Sequence, residues 1–278
     1  MLVWRKLTSA KWEDAWAERL AFVDASRMAI IGLPGRRAIR IEVYALSKKE
    51  AGALVKQFGG QLRTLKDRLF TRQETKREPI RIREKLLVTA SKRQASAAER
   101  KYPGRKILVV PAAMAFGTGE HATTAACLRF LADLADKLPA GSWDMLDLGT
   151  GSGILALAAK TMGARKVNAY DFDPNALRVA RENAVLNGIA GIEFKKTEVT
   201  QWMPLKTWDV VTANLFSEVL ILAAPRIAAA MKPGGRLVFS GVMRHQEREC
   251  VKALTSMGFR VGKTVRRGKW VTTLARMD

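Results

Sequence analysis

Cysteine and histidine are both scarce in this chain of 278 residues. Cys127 and Cys250 are the only cysteines, and His121 and His245 are the only histidines. The cysteines lie far apart and lack the C-x-x-C spacing of metal and redox sites, so the sequence contains no ligand cluster for a metal ion. Two cysteines also cannot build the disulfide framework of a small secreted domain. We therefore expect buried, reduced thiols and no metal.

Long hydrophobic runs are also missing. No run approaches the roughly 18 residues that a membrane-spanning helix needs. The opening sequence, MLVWRKLTSAKWEDAW, becomes charged before the apolar stretch of a secretion signal can form. Hydrophobic residues still make up 48% of the chain, which is enough for one large core and one smaller core. We expect a soluble, cytoplasmic protein with two domains.

Acidic residues are few. The chain has 26 Asp and Glu against 48 Lys and Arg, a formal net charge of +22. Residues 1–106 hold 26 basic and 11 acidic side chains, a net +15, which leaves +7 for residues 107–278. Positive charge raises the local concentration near polyanions, so one interpretation is a contact between this basic N-terminal part and ribosomal or other RNA. The other is a generally basic, solvated surface.

The front of the chain predicts a small domain and a linker. Residues 1–66 alternate strand-like and helix-like patterns in the order β-α-β-β-α-β, which indicates a ferredoxin-like α+β domain. It contains no cluster of candidate catalytic residues, so we expect it either to dock a substrate or to be purely structural. A basic linker with short strands is predicted over residues 67–106, because residues 63–106 hold 15 basic and only 5 acidic side chains.

The remainder, residues 107–278, predicts a second and larger domain. From about Trp143 onward, strand-like and helix-like segments alternate, which is typical of a doubly wound, Rossmann-like parallel sheet. The last two strand-like runs, FRVGKTVRR and KWVTTLARM, are separated only by Gly268 and must form an antiparallel hairpin. The predicted fold class is α/β, with a seven-stranded sheet whose last strand is reversed.

A glycine-rich loop, DLGTGSGI at residues 147–154, follows the first strand of this sheet. Gly149, Gly151 and Gly153 let the backbone turn sharply and approach a ligand closely. A dinucleotide site would need a glycine where Ile154 stands. The spacing predicts a nucleotide-type cofactor other than NAD; the alternative is a glycine turn with a purely structural role.

Asp171 ends the next strand-like run, 22 residues after Gly149. A carboxylate at this position can accept hydrogen bonds from both ribose hydroxyls of an adenosine. We therefore expect Asp171 to bind the ribose of the cofactor. Asp173, directly before Pro174, is instead predicted to cap the following helix.

Asn214, Leu215 and Phe216 follow the fourth strand, where an incoming nucleophile would meet the cofactor. Base-methylating enzymes carry Asn-Pro-Pro-Tyr or Asp-Pro-Pro-Tyr here, with an aromatic ring that stacks on the base. This chain has no proline in the segment, so a planar base is not the favoured substrate. The alternative for Asn214 is a structural role as the N-cap of the next helix.

A polar loop, PAAMAFGTGEHATT at residues 111–124, precedes the first helix of the large domain. Its two glycines, with His121, Thr123 and Thr124, indicate a tightly specified conformation of the kind that serves ligands. His121 is not expected to bind a metal, because His245 is the only other histidine and no cysteine cluster accompanies it. We expect this loop to close over the cofactor.

Together these motifs resemble the ribosomal protein L11 methyltransferase family, whose members use S-adenosylmethionine. The resemblance covers residues 111–241 and rests on FGTGEHATT, LDLGTGSGILALAA, TANLFSEVL and MKPGGRLVFSGV. The loop departs from the family pattern at Glu120 and Ala122, where members often carry Thr and Pro. The resemblance implies S-adenosylmethionine as cofactor, with contacts at Thr124, Gly149, Asp171 and Asn214, and we place Gly151 beside Gly149 against the amino-acid portion of the cofactor.

The resemblance also predicts the reaction. It implies transfer of methyl groups to amino groups, lysine side chains or the N-terminus, of ribosomal protein L11, which the N-terminal domain holds. We expect Asn214 to be the catalytic residue that orients the amine, since methyl transfer requires alignment and removal of water rather than a metal. Two alternatives remain: an RNA methyltransferase, and a ribosome- or RNA-binding protein with a relic methyltransferase fold.

Overall fold

The computed structural model consists of two compact units, Met1–Lys76 and Arg77–Asp278. The residues that the structure describes are 2–20, 22–23, 27–32, 38–44, 46–64, 78–111 and 121–278. Among these residues, no helix is both long and apolar enough to cross a membrane.

The small unit is built on a four-stranded antiparallel sheet. Its described elements are β1 (Leu2–Ser9), α1 (Glu13–Arg19), β2 (Met28–Gly32), β3 (Ala38–Val43), α2 (Lys48–Phe58) and β4 (Gln61–Thr64). The strand order is β2-β3-β1-β4, and each neighbouring pair is antiparallel. This is the order of the ferredoxin-like fold, so the fold predicted for this part is confirmed.

Apolar side chains from both layers form the core of the small unit. Trp4 of β1 packs in one cluster with Trp16 of α1 and Leu54 of α2. Helix α2 begins at a capping box, in which the Ser47 hydroxyl accepts from the Glu50 amide at 3.2 Å and the Ser47 amide donates to the Glu50 carboxylate at 2.7 Å. These two bonds satisfy amides that have no partner inside the helix, and so determine where the helix begins.

The larger unit begins with a three-stranded sheet. Its elements are β5 (Ile80–Ile82), β6 (Leu86–Thr89), α3 (Lys92–Lys101) and β7 (Lys106–Val109). Strand β6 lies in the middle, antiparallel to β5 and parallel to β7. Ile82, Leu86 and Leu108 are buried in the same hydrophobic cluster as the helices of the large sheet. The predicted linker stretch therefore carries regular structure from residue 80 onward, and its apolar residues join it to the larger unit.

The seven-stranded sheet has the order β10-β9-β8-β11-β12-β14-β13. Its strands are β8 (Asp144–Leu148), β9 (Lys166–Asp171), β10 (Ile192–Lys196), β11 (Trp208–Asn214), β12 (Met231–Met243), β13 (Phe259–Arg267) and β14 (Trp270–Met277). Strands β8 to β12 pair in parallel, and β14 runs antiparallel to both β12 and β13. The predicted doubly wound sheet with a reversed last strand is confirmed.

Helices cover both faces of this sheet. They are α4 (Ala122–Ala135), α5 (Ile154–Thr161), α6 (Pro174–Leu186), α7 (Ser217–Ala229) and α8 (Glu247–Thr255). Residues of α4, α5 and α6 share one hydrophobic cluster, and residues of α7 and α8 share the cluster on the other face. Both cysteines are buried, as expected. Because the central strands are parallel, the carboxyl ends of β8, β9 and β11 meet at one edge of the sheet.

Candidate cofactor and acceptor site

The glycine-rich loop leaves β8 where the strand order changes direction between β8 and β11, which is the usual ligand position in open α/β sheets. Gly149, Gly151 and Gly153 have φ angles of 68°, 54° and 80°, which other residues rarely adopt. A Cβ on Gly149 would lie 2.5 Å from Cδ2 of Leu215. The loop is thus packed directly against the segment that follows β11.

Asp171 fixes the other side of the same loop. Its carboxylate accepts from the Gly151 amide at 2.9 Å and from the Asp173 amide at 3.0 Å, and the residue is only 7% exposed. Burial raises the pKa of this carboxyl, and the backbone hydrogen bonds oppose the shift. Each carboxylate oxygen has a further lone pair. Asp171 can therefore shape the glycine loop and accept ribose hydroxyls together.

Asp147 is a site residue to which the sequence reasoning assigned no role. It is buried in β8, where the hydroxyls of Thr150 and Thr212 donate to its two oxygens at 2.6 and 2.5 Å. Burial raises its pKa to about 6, against the lowering effect of the two hydroxyls. Asp147 thus ties the glycine loop to β11. The available signal was a carboxylate between the apolar residues Leu146 and Leu148 of this strand.

Asn214 ends β11 beside Ser240 of β12. Its side-chain oxygen is buried, and no donor within the described part of the chain reaches it. The following helix begins at Ser217, with Phe216 in the N-cap position, so the interpretation of Asn214 as an N-cap is wrong. By contrast, Asp173 does cap α6, accepting from the Asn175 amide at 2.8 Å.

Thr124 carries a second unsatisfied oxygen. It lies in the first turn of α4 and is 1% exposed, and its hydroxyl has no hydrogen-bond partner among residues that the structure describes. Helix α4 packs against β11, β12 and β14. Buried polar groups without partners are costly and uncommon. Thr124 and Asn214 thus carry such oxygens on two elements that are in contact.

His121 begins α4 as its N-cap. Its Nδ1 lies 2.6 Å from the Thr123 hydroxyl, and its ring packs edge-on against Trp270. Burial, and then the charge of Lys269, lower its pKa, which favours the neutral ring. In the described ranges no group of three side chains is suited to a metal ion. The rest of the predicted polar loop, residues 112–120 with Glu120, lies outside the described residues.

The structure brings four of the five predicted site residues to one sheet edge. Gly149, Asp171 and Asn214 follow or end the neighbouring strands β8, β9 and β11, and Gly151 is bonded to Asp171. The fifth, Thr124, lies on the helix packed against β11. This set of a carboxylate, a glycine turn and unsatisfied oxygens fits a nucleoside cofactor with an amino-acid tail.

Comparison with known proteins agrees with this assignment. Residues 25–278 match the family described as ribosomal protein L11 methyltransferase (PrmA). The ribosomal protein L11 methyltransferase of Pelobacter propionicus is 36% identical over 200 residues, covering 72% of this chain and 63% of that protein. Its counterpart in Pelotomaculum thermopropionicum is 39% identical over 204 residues, covering 72% and 62%. The chain therefore spans about three fifths of the length of these relatives.

A solved structure shares the fold. The crystal structure of ribosomal protein L11 methylase from Lactobacillus delbrueckii subsp. bulgaricus superposes with a TM-score of 0.62 at 28% sequence identity. The match covers 73% of this chain and 100% of that chain.

Proposed function

Because the chain belongs to the ribosomal protein L11 methyltransferase family, we propose that it transfers methyl groups from S-adenosylmethionine to amino groups of ribosomal protein L11. The observation that carries this proposal is the buried oxygen of Asn214, which has no partner among the described residues, next to a glycine loop anchored on Asp171. S-adenosylmethionine supplies a methyl group on a sulfonium, ready for displacement by a nucleophile. The acceptors are lysine side chains, the N-terminal amine, or both.

Asp171, the glycine loop and Thr124 hold the cofactor. Asp171 accepts the ribose hydroxyls, and its geometry is supported by its bond to the Gly151 amide. Gly149 and Gly151 lie against the amino-acid portion, where the absence of a Cβ lets the backbone come close. Thr124 contributes the hydroxyl that lacks a partner among the described residues.

Asn214 orients the acceptor amine. Deprotonating an amine with the ordinary pKa of about 10.4 costs roughly 4 kcal/mol near pH 7.4. Apolar surroundings disfavour the ammonium and reduce this cost. The Asn214 oxygen accepts an N–H of the neutral amine and so directs the nitrogen lone pair. The amine proton leaves to solvent.

The small unit presents the protein substrate. It has its own core and carries none of the residues proposed for the cofactor. We further propose that the chain acts in the cytoplasm and that its basic N-terminal part contacts ribosomal RNA beside the substrate. The charge of residues 1–106 supports this contact.

A transfer assay with methyl-labelled S-adenosylmethionine tests the function. Purified ribosomal protein L11 and protein-free ribosomal RNA are offered separately, and L11 with chemically acetylated amines is the matched control. We expect label in L11 and none in acetylated L11 or RNA. Label in RNA would support an RNA methyltransferase instead, and failure to bind S-adenosylmethionine saturably would support a binding protein with a relic fold.

A further inference from the structure

Three guanidinium groups lie around the middle of α4 in the larger unit. Arg83, at the turn between β5 and β6, donates to both carboxylate oxygens of Asp133 at 2.6 Å each. Asp133 lies one helical turn after Arg129, and residues four apart share a helix face. Arg83 is therefore fixed beside Arg129.

Arg267 approaches the same helix from β13. Val265 packs against the hydrophobic cluster that includes Leu128 of α4. Because side chains alternate along a strand, Arg267 projects from the same face of β13 as Val265. The intervening Arg266 points the other way and is paired with Glu247 at 2.8 and 2.5 Å. Arg266 is thus neutralised by Glu247, whereas Arg267 on the opposite face of the strand is directed toward α4.

The charge of this cluster is not balanced. Asp133 is already held by Arg83, and neither Arg129 nor Arg267 forms an ion pair with any acidic residue in the described part of the chain. Burial lowers the pKa of Arg129, and the nearby charges of Arg267 and Arg83 lower it further. Like charges held this close repel each other unless an anion lies between them.

We propose that a cationic strip, formed by Arg129 and Arg267 with the Asp133-paired Arg83 beside them, binds the phosphate backbone of RNA. Guanidinium groups match phosphate oxygens in pairs, which makes arginine clusters suited to this ligand. The strip continues along the exposed edge strand β13 through Lys263 and reaches Arg260, which is paired with Asp278 at 2.9 Å. A long polyanion can contact such an extended row, whereas a single free phosphate contacts only part of it.

This strip differs from the basic surface of the small unit. There, Arg5 and Arg40 both pair with Glu42, and Arg27 pairs with Glu50. The choice of RNA rests on the proposed function, since a ribosomal protein is found beside RNA. The binding itself does not depend on methyl transfer.

Charge-matched variants of the full chain test the proposal. Arg129→Gln with Arg267→Gln removes two charges from the strip. Lys195→Gln with Lys196→Gln removes two exposed charges from β10, at the opposite edge of the same sheet. Arg129→Lys with Arg267→Lys keeps the charge. Binding of an oligouridylate of about 20 nucleotides is measured by fluorescence anisotropy over a range of salt concentrations.

We expect the strip variant to bind about 10- to 30-fold more weakly near 0.1 M salt. Its log–log salt slope should be shallower by about 1.4, since each lost phosphate contact on a single strand contributes about 0.7. The β10 variant should keep the wild-type slope, and the lysine variant should keep most of the affinity. All variants should retain the wild-type melting temperature.

Equal losses of RNA affinity in the strip variant and the β10 variant would overturn the proposal, because the net charge of the whole protein would then explain the binding. So would absence of RNA binding by the wild type, or tighter and equally strip-dependent binding of polyglutamate, which would identify an acidic protein as the partner. Methylation of free L11 is measured in parallel and should be unchanged in the strip variant. If L11 is not methylated by any form while strip-dependent RNA binding holds, only the proposed function fails.

Discussion

The polar side chains around the glycine loop fall into two groups. Asp147 and Asp171 have their oxygens occupied by hydroxyls or backbone amides, and they hold the loop in shape. Asn214 and Thr124 have buried oxygens that lack partners among the described residues. The first group is satisfied within the chain, and we expect the second group to find its partner in a bound ligand. The two groups should therefore respond differently to substitution.

Replacing Asp171 by Ala should weaken S-adenosylmethionine binding by about 100-fold or more, since both ribose hydrogen bonds are lost. Hydrogen bonds to a charged acceptor contribute about 1.5 to 3 kcal/mol each, and the loop loses its anchor at the Gly151 amide. Calorimetry measures the dissociation constant. Asp173→Ala is the control, since that side chain caps α6; equal affinities for the two variants would contradict the ribose contact.

Asp147 should make stability depend on pH in an unusual direction. Its pKa in the folded protein is about 6, above the ordinary 3.8. A carboxyl group whose pKa is raised in the folded state binds its proton more tightly there than in the unfolded state. Its contribution to stability is therefore full below about pH 4 and is lost as pH rises through about 6. A shift of about two units corresponds to roughly 3 kcal/mol.

Urea unfolding at about pH 4.5 and about pH 7.5 measures this effect. From the lower to the higher pH, the free energy of unfolding of the wild type should fall more than that of Asp147→Asn. Asp144→Asn on the same strand is the control, because Arg165 lowers the pKa of Asp144 and its titration falls below this range. An identical pH dependence for wild type and Asp147→Asn would refute the assignment.

Local sequence signals predicted some of these residues and not others. Asp171 and Asn214 stand at strand ends, and strand ends are visible in the alternation of apolar and polar residues. The role of Asp147 depends on a hydroxyl of Thr212, 65 positions away along the chain. Such a contact is set by strand pairing, which no local pattern contains.

At the scale of elements, the packing of the loop after β8 depends most on the segment after β11. Gly149, in the loop after β8, and Gly241, near the end of β12, both come close to Leu215, the first residue after β11. These contacts hold the glycine loop next to Asn214, the residue proposed to orient the acceptor amine. A change in the loop should therefore affect the site without disrupting the sheet.

Gly149→Ala should reduce cofactor affinity more than a comparable substitution elsewhere. Gly188 is the matched control, since its φ of 63° is close to the 68° of Gly149 but a Cβ there meets nothing within 4 Å. Both variants carry the left-handed strain of about 1 to 2 kcal/mol. Only Gly149→Ala also displaces Leu215, so only it should weaken S-adenosylmethionine binding in calorimetry. Equal effects on affinity would show that the contact with Leu215 is unimportant.

The order of helices and strands along most of the chain could be predicted from the sequence. Which strands lie next to each other in the sheet was harder to predict. The hairpin of β13 and β14 follows from its short connection, but the position of β14 between β12 and β13 does not. Helix α3 was missed because its sequence is mostly Lys, Arg and Ala and only Ala98 is buried. Its helical structure depends on capping by Ser91 and on a small contact with the sheet.

Over the whole molecule, each unit has a complete core of its own. The two clusters of the larger unit draw all their described residues from Ile80 onward, and the cluster of the small unit ends at Phe58. Residues 1–76 hold 16 basic and 8 acidic side chains, a net +8, and residues 77–278 hold 32 and 18, a net +14. We propose that the larger unit binds the cofactor and that the small unit presents the substrate.

A fragment that starts at Arg77 should bind S-adenosylmethionine with wild-type affinity. It should nevertheless fail to methylate intact ribosomal protein L11, because the unit proposed to present the substrate is missing. Calorimetry and a transfer assay on the same preparation measure both properties. Full-rate methylation of L11 by the fragment would assign the small unit another role.

The account depends most directly on Asn214. In Asn214→Ala, the loop and Asp171 still hold the cofactor, so the single-turnover rate of methyl transfer should fall about 100- to 1000-fold, or about 2.7 to 4 kcal/mol. An interaction made chiefly in the transition state lowers turnover far more than affinity. Single-turnover rate, S-adenosylmethionine affinity and melting temperature are measured on one preparation. We predict a slow enzyme with near-normal affinity and stability; a stable variant that transfers methyl groups at the wild-type rate would contradict the account.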